Sequence, residues 1–348
     1  MDLFIYDRNF NRLGTIDNHT ELLWIRKYCE CGEMELHCPA TPANMELLKP
    51  GNIVAKGDRT EAAVIRGDQA TEESNHHNGI IRRGCFLPVY FGDRLTGPMV
   101  NYSGGDEDAM RFMISRAVPI PMLRIAPPSG NQVAIEFQAT YRKLLAILTK
   151  IGRLTDLGFR VVPDFRAKTM TFETYRGIDR SFTQRNNARV IFSEKYGNLD
   201  SIKHEYSDLA FATKITVGGA GEGSGRVFVM VGGGEGFDLR EAFYDARNIS
   251  GEGMGAAEYV AALEAAGRGQ LEKRKIMESI ETEIVPSVNF SYGRDYDLGD
   301  IVTVEKTAWG IRQDIRITEV CEVYEDGGMY IVPTLGHSLP VSDNFDEE

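Results

Sequence analysis

The sequence predicts a β-rich α+β protein, and three observations carry that expectation. The first hundred residues hold five short runs rich in β-branched and aromatic side chains, broken by Gly, Asn, Asp and Pro. From about Ser103 the apolar spacing changes to a helical period. Beyond Arg189 strand-like runs return, interrupted by one long helical stretch.

The opening runs are "DLFIYD", "LLWIRKYCE", "EMELHCP", "NIVAKG" and "EAAVIRG". Repeated short strands with turn signals between them point to an antiparallel barrel or sandwich. Within this region "TPANMELLKPG" predicts a single helical turn, with Thr41 as N-cap, Pro42 at the first helical position and Pro50-Gly51 as the stop. Next, "GGDEDAMRFMISRAV" opens with acidic residues, which favour a helix N-terminus, and places Met110, Met113, Ile114 and Val118 on one face. "TYRKLLAILTKIGRLTDLG" repeats the pattern with Leu144, Leu145, Leu148, Ile151 and Leu154, and Gly158 is the expected stop. "FRVVPDFRAKTMTFETYRG" predicts a hairpin turning near Pro163-Asp164. Strands are expected at "ARVIFSEKYG", "FATKITVGG" and "RVFVMVGGG", then helices at "DLREAFYDARN" and "AAEYVAALEAAGRGQLEKRKIMESIE". The last strands are "IETEIVPSV", "DIVTVEK", "QDIRITEVCEVYED" and "MYIVPTLG", before the acidic "VSDNFDEE".

Composition narrows the function. At 348 residues the chain suits two or three domains. No apolar run approaches the roughly 18 residues of a membrane helix, and "MDLFIYDRNF" lacks the basic start of a signal peptide. A net charge of −12 argues against phosphate-backbone binding over the whole surface, so no nucleic-acid partner is expected. The charge is uneven: Thr140 to Arg189 carries 11 Lys or Arg against 4 Asp or Glu. Such a segment suits docking on an acidic neighbour, with Arg176, Arg180 and Arg185 as the candidate contacts. Cys29, Cys31, Cys38, Cys85 and Cys321 form no C-x-x-C pair, and the "YCECGEMELHC" cluster lacks zinc-site spacing, so free thiols are expected and no metal.

Nine of the 24 residues from Lys214 to Phe237 are glycine, which raises the question of a nucleotide. A dinucleotide fingerprint from Gly219 and Gly221 would need glycine at Ser224; from Gly221 and Gly223 it would need one at Arg226. The P-loop pattern fails because Gly218 and Gly223 are succeeded by Ser224 with no lysine. The run leads into the strand-like "RVFVMV", not into a helix whose N-terminus could hold an anion. Gly218, Gly219, Gly221, Glu222, Gly223 and Arg226 are therefore expected in a tight connection between strands, with no cofactor.

"RDYDLGDIVTVEK" gathers Asp295, Asp297 and Asp300, but an EF-hand loop would want an acid at Gly299, a glycine at Asp300 and a glutamate at Lys306. A turn launching the strand is expected, with Asp side chains bonding local amides. Glu241 and Asp245 stand four apart, a spacing that helix surfaces carry routinely and that could also serve acid–base work. His76-His77 reads as a surface loop. Nothing assembles a nucleophile with its base, so no enzyme activity is expected.

Several of these phrases together resemble a known family. "WIRKYCECGEMELHCP", "VIFSEKYGNLDSIKHEYSDLAFATKITVGGAGEGSGR", "DLREAFYDARN" and "YDLGDIVTVEK…RITEVCEVYEDGGMYIVPTLG" occur in the order found in the ReqiPepy-type siphovirus tail proteins. The resemblance implies a baseplate-hub-like fold, with two antiparallel β-barrel-like domains and an inserted α+β domain. It places the first barrel-like domain at 1–102 plus about 190–240, the insertion at 103–189, and a helix plus the second barrel-like domain at 241–340, before an acidic tail at 341–348. It also implies a non-enzymatic virion protein, a homotrimer closing the distal end of a tail tube. Its partners would be a distal tail or tail-tube ring, a tape-measure protein, and a fibre or lysin supplied by another chain. The weaker alternatives are a tail-associated peptidoglycan hydrolase using Glu241 and Asp245, or a carbohydrate-binding adhesin using Trp24, Trp309 and the tyrosines.

Overall fold

The computed structural model describes residues 2–72, 78–98, 100–130, 132–284, 289–325 and 328–336. Two compact units result, Met1–Lys203 with Ile280–Gly336, and His204–Ser279. In chain order the elements begin with β1 (Leu3–Tyr6), β2 (Arg12–Ile16), β3 (Glu21–Lys27), β4 (Glu33–Pro39), α1 (Pro42–Leu47), β5 (Ile53–Lys56), β6 (Ala62–Glu72) and β7 (Asn78–Phe86). They continue with α2 (Val89–Gly92), β8 (Val100–Gly105), α3 (Asp106–Arg116), β9 (Leu123–Ile125), β10 (Ala134–Ala139) and α4 (Leu144–Thr155). Then come β11 (Gly158–Asp164), β12 (Thr169–Tyr175), β13 (Ile191–Ser193), β14 (Leu199–Ser207), β15 (Lys214–Gly218), β16 (Phe228–Gly232) and β17 (Glu241–Asp245). The chain ends with α5 (Ala256–Glu272), β18 (Met277–Ile284), β19 (Ile301–Lys306), β20 (Ile311–Glu325) and β21 (Gly328–Gly336).

The protein is mostly β. Thirteen strands join one sheet, ordered β14-β18-β21-β20-β3-β4-β7-β6-β5-β1-β2, with β13 and β19 branching from β20. That path is open among the described residues. Strands from both ends of the sequence meet where β20 pairs antiparallel with β3, setting Cys321 against Ile25 and Glu322 against Trp24. Alternation explains the layers. Leu3, Ile5, Val54, Ala63 and Ile65 face one core together with Trp24 and Leu36. Ile53, Ala55, Ala62 and Val64 face another, under α2, α3, α4 and the β11–β12 hairpin. β5 thus buries all four of its residues, as a strand covered on both sides must. A third core gathers Val302, Val304, Ile317 and Val320 around Tyr28 and Phe192.

The predicted caps are largely found. Thr41 caps α1, its hydroxyl accepting from the Asn44 amide at 3.1 Å. Helix α3 carries Asp106, Glu107 and Asp108 in its first turn and buries Met110, Met113 and Ile114. Val118 is 69 % exposed rather than buried, because the helix stops at Arg116 ahead of Pro119. Helix α4 ends on Asp156, in the left-handed region at φ 56°, two residues before the expected Gly158. A short Asp side chain tolerates that conformation.

Two predicted helices are corrected: the long one, expected to run to Glu281, ends at Glu272, and Met277–Ile284 is β18. Within "DLREAFYDARN", Glu241–Asp245 is β17, paired in parallel with β15. Its five side chains alternate between exposed and half-buried, and the aromatic pair Phe243-Tyr244 suits a half-covered strand better than a helix. Strands β2, β7, β8, β9, β10 and β14 and the short helix α2 are additions to the elements expected from the sequence. His76-His77 lies outside the described residues.

Candidate interface site and known relatives

The glycine-rich run folds as the expected connection between strands. β15 and β16 pair antiparallel from Lys214↔Gly232 to Gly218↔Phe228, with Gly219 to Val227 turning between them. Gly221 sits at φ 105° and Gly223 at φ 57°, where a β-carbon is strained. Arg226 fills the mouth of this turn. Its Nε donates to Gly219 O at 2.8 Å and its Nη2 to Gly218 O at 3.0 Å and Asp245 Oδ1 at 2.6 Å. The same guanidinium lies 5.3 Å from the Phe228 ring centre and 5.7 Å from that of Phe243. From behind, the Tyr259 hydroxyl on α5 accepts from the Ala220 amide at 2.7 Å and donates to Ile249 O at 3.2 Å. An anion at this turn would have to displace an arginine that the chain already holds with two carbonyls and a carboxylate. Glu222 is exposed and takes no part in these contacts.

Glu241 and Asp245 share β17, each with its own cation: Lys214 Nζ at 2.9 Å from Glu241, and Arg226 at 2.6 Å from Asp245. Four residues along a strand separate Cα atoms by about 13 Å, wider than the roughly 5–9.5 Å between paired carboxylates of glycosidases. The hydrolase reading loses the helical spacing it relied on. Trp24 is fully buried, 4.7 Å from Phe86, so it is not available to stack on a sugar. Trp309 is 54 % exposed, under Lys306.

The acidic turn before β19 is built from its own side chains. Asp300 accepts from the Ile178 amide at 2.7 Å, from Arg180 Nε at 2.8 Å and from the Asp297 amide at 3.1 Å. Asp297 accepts from the Leu298 amide and from Arg26 Nη1, both at 2.7 Å. Gly299, at φ 90°, presses against Gly177, where an added Cβ would lie 1.8 Å from Gly299 O. The carboxylates are thus committed to amides and arginines.

The basic segment divides by use. Arg176 reaches the Thr155 and Asp156 carbonyls at 2.7 and 2.8 Å and the buried Asp106. Arg180 pairs with Asp300. Both hold the fold, and of the three candidate contacts only Arg185 is exposed on the loop surface. Among the cysteines, Cys29 and Cys38 sit in different cores. Cys31 meets Cys85, and the contact between the two thiols lowers the pKa of Cys85.

Sequence reasoning missed a buried ionic network in the first unit. Lys56 Nζ lies 2.5 Å from Glu322 Oε2, and Arg59 Nε lies 2.6 Å from Glu322 Oε1. Arg26 pairs with Glu61 at 2.6 Å and donates to the Tyr292 hydroxyl at 2.5 Å. Burial opposes the Arg26 charge, but Glu61, Tyr292 and Asp297 outweigh it and raise its pKa. The one sequence signal was charge inside apolar runs, at Lys56 in "NIVAKG" and Glu322 in "TEVCEVY".

This architecture is that of bacteriophage and prophage tail proteins. The 43 kDa tail protein of prophage MuSo2 from Shewanella oneidensis superposes with a TM-score of 0.61 at 13 % identity, covering 96 % of this chain and 98 % of that one. A tail protein from Neisseria meningitidis MC58 gives 0.61 at 12 %, covering 97 % and 96 %. The prophage tail protein gp18 of Listeria monocytogenes EGD-e gives 0.54 at 14 %, covering 97 % and 94 %. The chain belongs to the Siphovirus ReqiPepy6 Gp37-like protein family, which it matches over residues 2–337. No curated protein matches its sequence significantly.

Proposed function

We propose that this chain is the baseplate hub subunit of a phage or prophage tail, a non-enzymatic virion protein made in the host cytoplasm. Three copies close the distal end of the tail tube, each contributing two barrel-like domains. The α+β insertion at 103–189 faces the tip. The hub docks a distal tail or tube ring on one side, receives the tape-measure protein, and offers the other side to a fibre or lysin.

The observation that carries this reading is coverage. Family membership spans residues 2–337, and the fold likeness to tail proteins runs nearly end to end in both chains. The candidate chemical positions add weight, since the glycine turn, the Asp297–Asp300 turn and the Glu241–Asp245 strand each satisfy their polar groups internally. Mass measurement in solution with the tail-tube ring protein present, then negative-stain imaging, should give three copies in a threefold ring. A chain that stays monomeric beside that ring protein, or that clears peptidoglycan on a zymogram, would contradict it.

A further inference from the structure

One end of the second unit presents two large apolar side chains to solvent on a rigid support. Leu209 is 95 % exposed and Phe237 is 104 % exposed. Their loops are tied together. Arg240 donates to Asp208 O at 2.9 Å and pairs with the Asp208 carboxylate at 2.6 Å. The Thr213 hydroxyl donates to Asp238 O at 3.1 Å and accepts from the Arg240 amide at 2.9 Å, while the Gly233 amide donates to Thr213 O at 2.9 Å. Loops pinned in this way lose little freedom on docking. Glu235 and Asp238 flank Phe237, are exposed, and have no ion-pair partner among the described residues. The feature is an apolar knob with an acidic rim.

The first unit contains the opposite. An open cleft of about 160 Å³ is lined by Ile114, Ala117, Val118, Ile120, Leu123 and Ile125. The segment from Ala109 to Ile135 carries three arginines and no acid. Arg116 and Arg124 are exposed beside the cleft, without a carboxylate partner among the described residues. Arg94 joins them, donating to Val118 O at 3.2 Å. The feature is an apolar hole with a cationic rim.

We infer that the Leu209–Phe237 knob of one copy seats in the Ile114–Ile125 cleft of a second copy, with Glu235 and Asp238 meeting Arg116 and Arg124. Apolar character and charge sign are complementary, and both halves belong to one sequence in a chain of net charge −12. A contact between two different patches is heterologous and propagates head to tail, so it closes a ring when the rotation permits. It rests on the assembly role proposed above and names the surface that role would use.

Tagged Phe237→Cys protein mixed with untagged Val118→Cys protein under mild oxidation should yield a mixed disulfide dimer. The yield should exceed by at least tenfold that of Phe237→Cys with Leu13→Cys, an exposed position elsewhere. Glu235→Arg with Asp238→Arg should weaken self-association at least tenfold by sedimentation, and a partner with Arg116→Glu and Arg124→Glu should restore it. Adduct at the control level overturns the contact. Rings indifferent to the charge reversals also overturn it while leaving the assembly role standing. Absence of the chain from tails strikes the assembly role itself.

Discussion

Gly219 and Gly225 share one loop, and the space around each decides what an added methyl does. A Cβ on Gly219 would lie 2.3 Å from the Tyr259 hydroxyl, whereas one on Gly225 meets nothing within 4 Å. Gly219→Ala is expected to cost about 1–3 kcal/mol through overpacking. Gly225→Ala is expected to be neutral or to stabilise by up to about 1 kcal/mol, since its backbone is outside the left-handed region. Urea unfolding of the two variants checks this, and equal losses would show that the loop does not pack on α5 through Gly219. The sequence alone separated this turn from a nucleotide loop, because Ser224 and Arg226 stand where glycines were required. It did not reveal that Arg226 is the plug, since its partners are the carbonyls of Gly218 and Gly219 and a carboxylate 19 residues away.

Among the elements, strands far apart in the sheet order depend on charges that no local pattern pairs. Lys56 on β5 is 2 % exposed and Glu322 on β20 is fully buried, 266 residues apart in sequence. Glu322→Gln leaves Arg59 without its carboxylate and Lys56 with only the exposed Asp58, and is expected to cost about 3–5 kcal/mol. Combining Lys56→Met and Arg59→Met with Glu322→Leu should recover much of that loss, because an apolar set leaves no buried ion uncompensated. Thermal and urea midpoints of the two variants measure the difference, and equal destabilisation would mean that the shape of the site matters more than its charge. Local order was readable where it is locally caused: the α1 cap at Thr41, the acidic first turn of α3, and most of the alternating strands. It was unreadable where the cause is distant. Glu241 and Asp245 looked helical beside Arg240 and Arg247, but pairing with β15 made their segment a strand. Long-range register also hid β14, whose neighbour β18 comes some seventy residues later.

At the scale of the molecule, phrases distributed from "WIRKYCECGEMELHCP" to "YIVPTLG" carried the family, and the match over residues 2–337 upholds it. Identities of 12–14 % to tail proteins of the same fold show how little of the sequence the architecture demands. A core tolerates wide substitution as long as its volume and apolar pattern are kept. The surface obeys other constraints, which is why charge counts over Thr140 to Arg189 could not tell the fold-bound Arg176 and Arg180 from the exposed Arg185. The decisive measurement is electron cryo-microscopy of purified tails, with an antibody raised against this chain marking its position. Label confined to the distal end in fixed copy number, and lost with blunt or missing tips when the gene is deleted, is the outcome expected of a hub. Intact, infectious tails that lack the chain would contradict it.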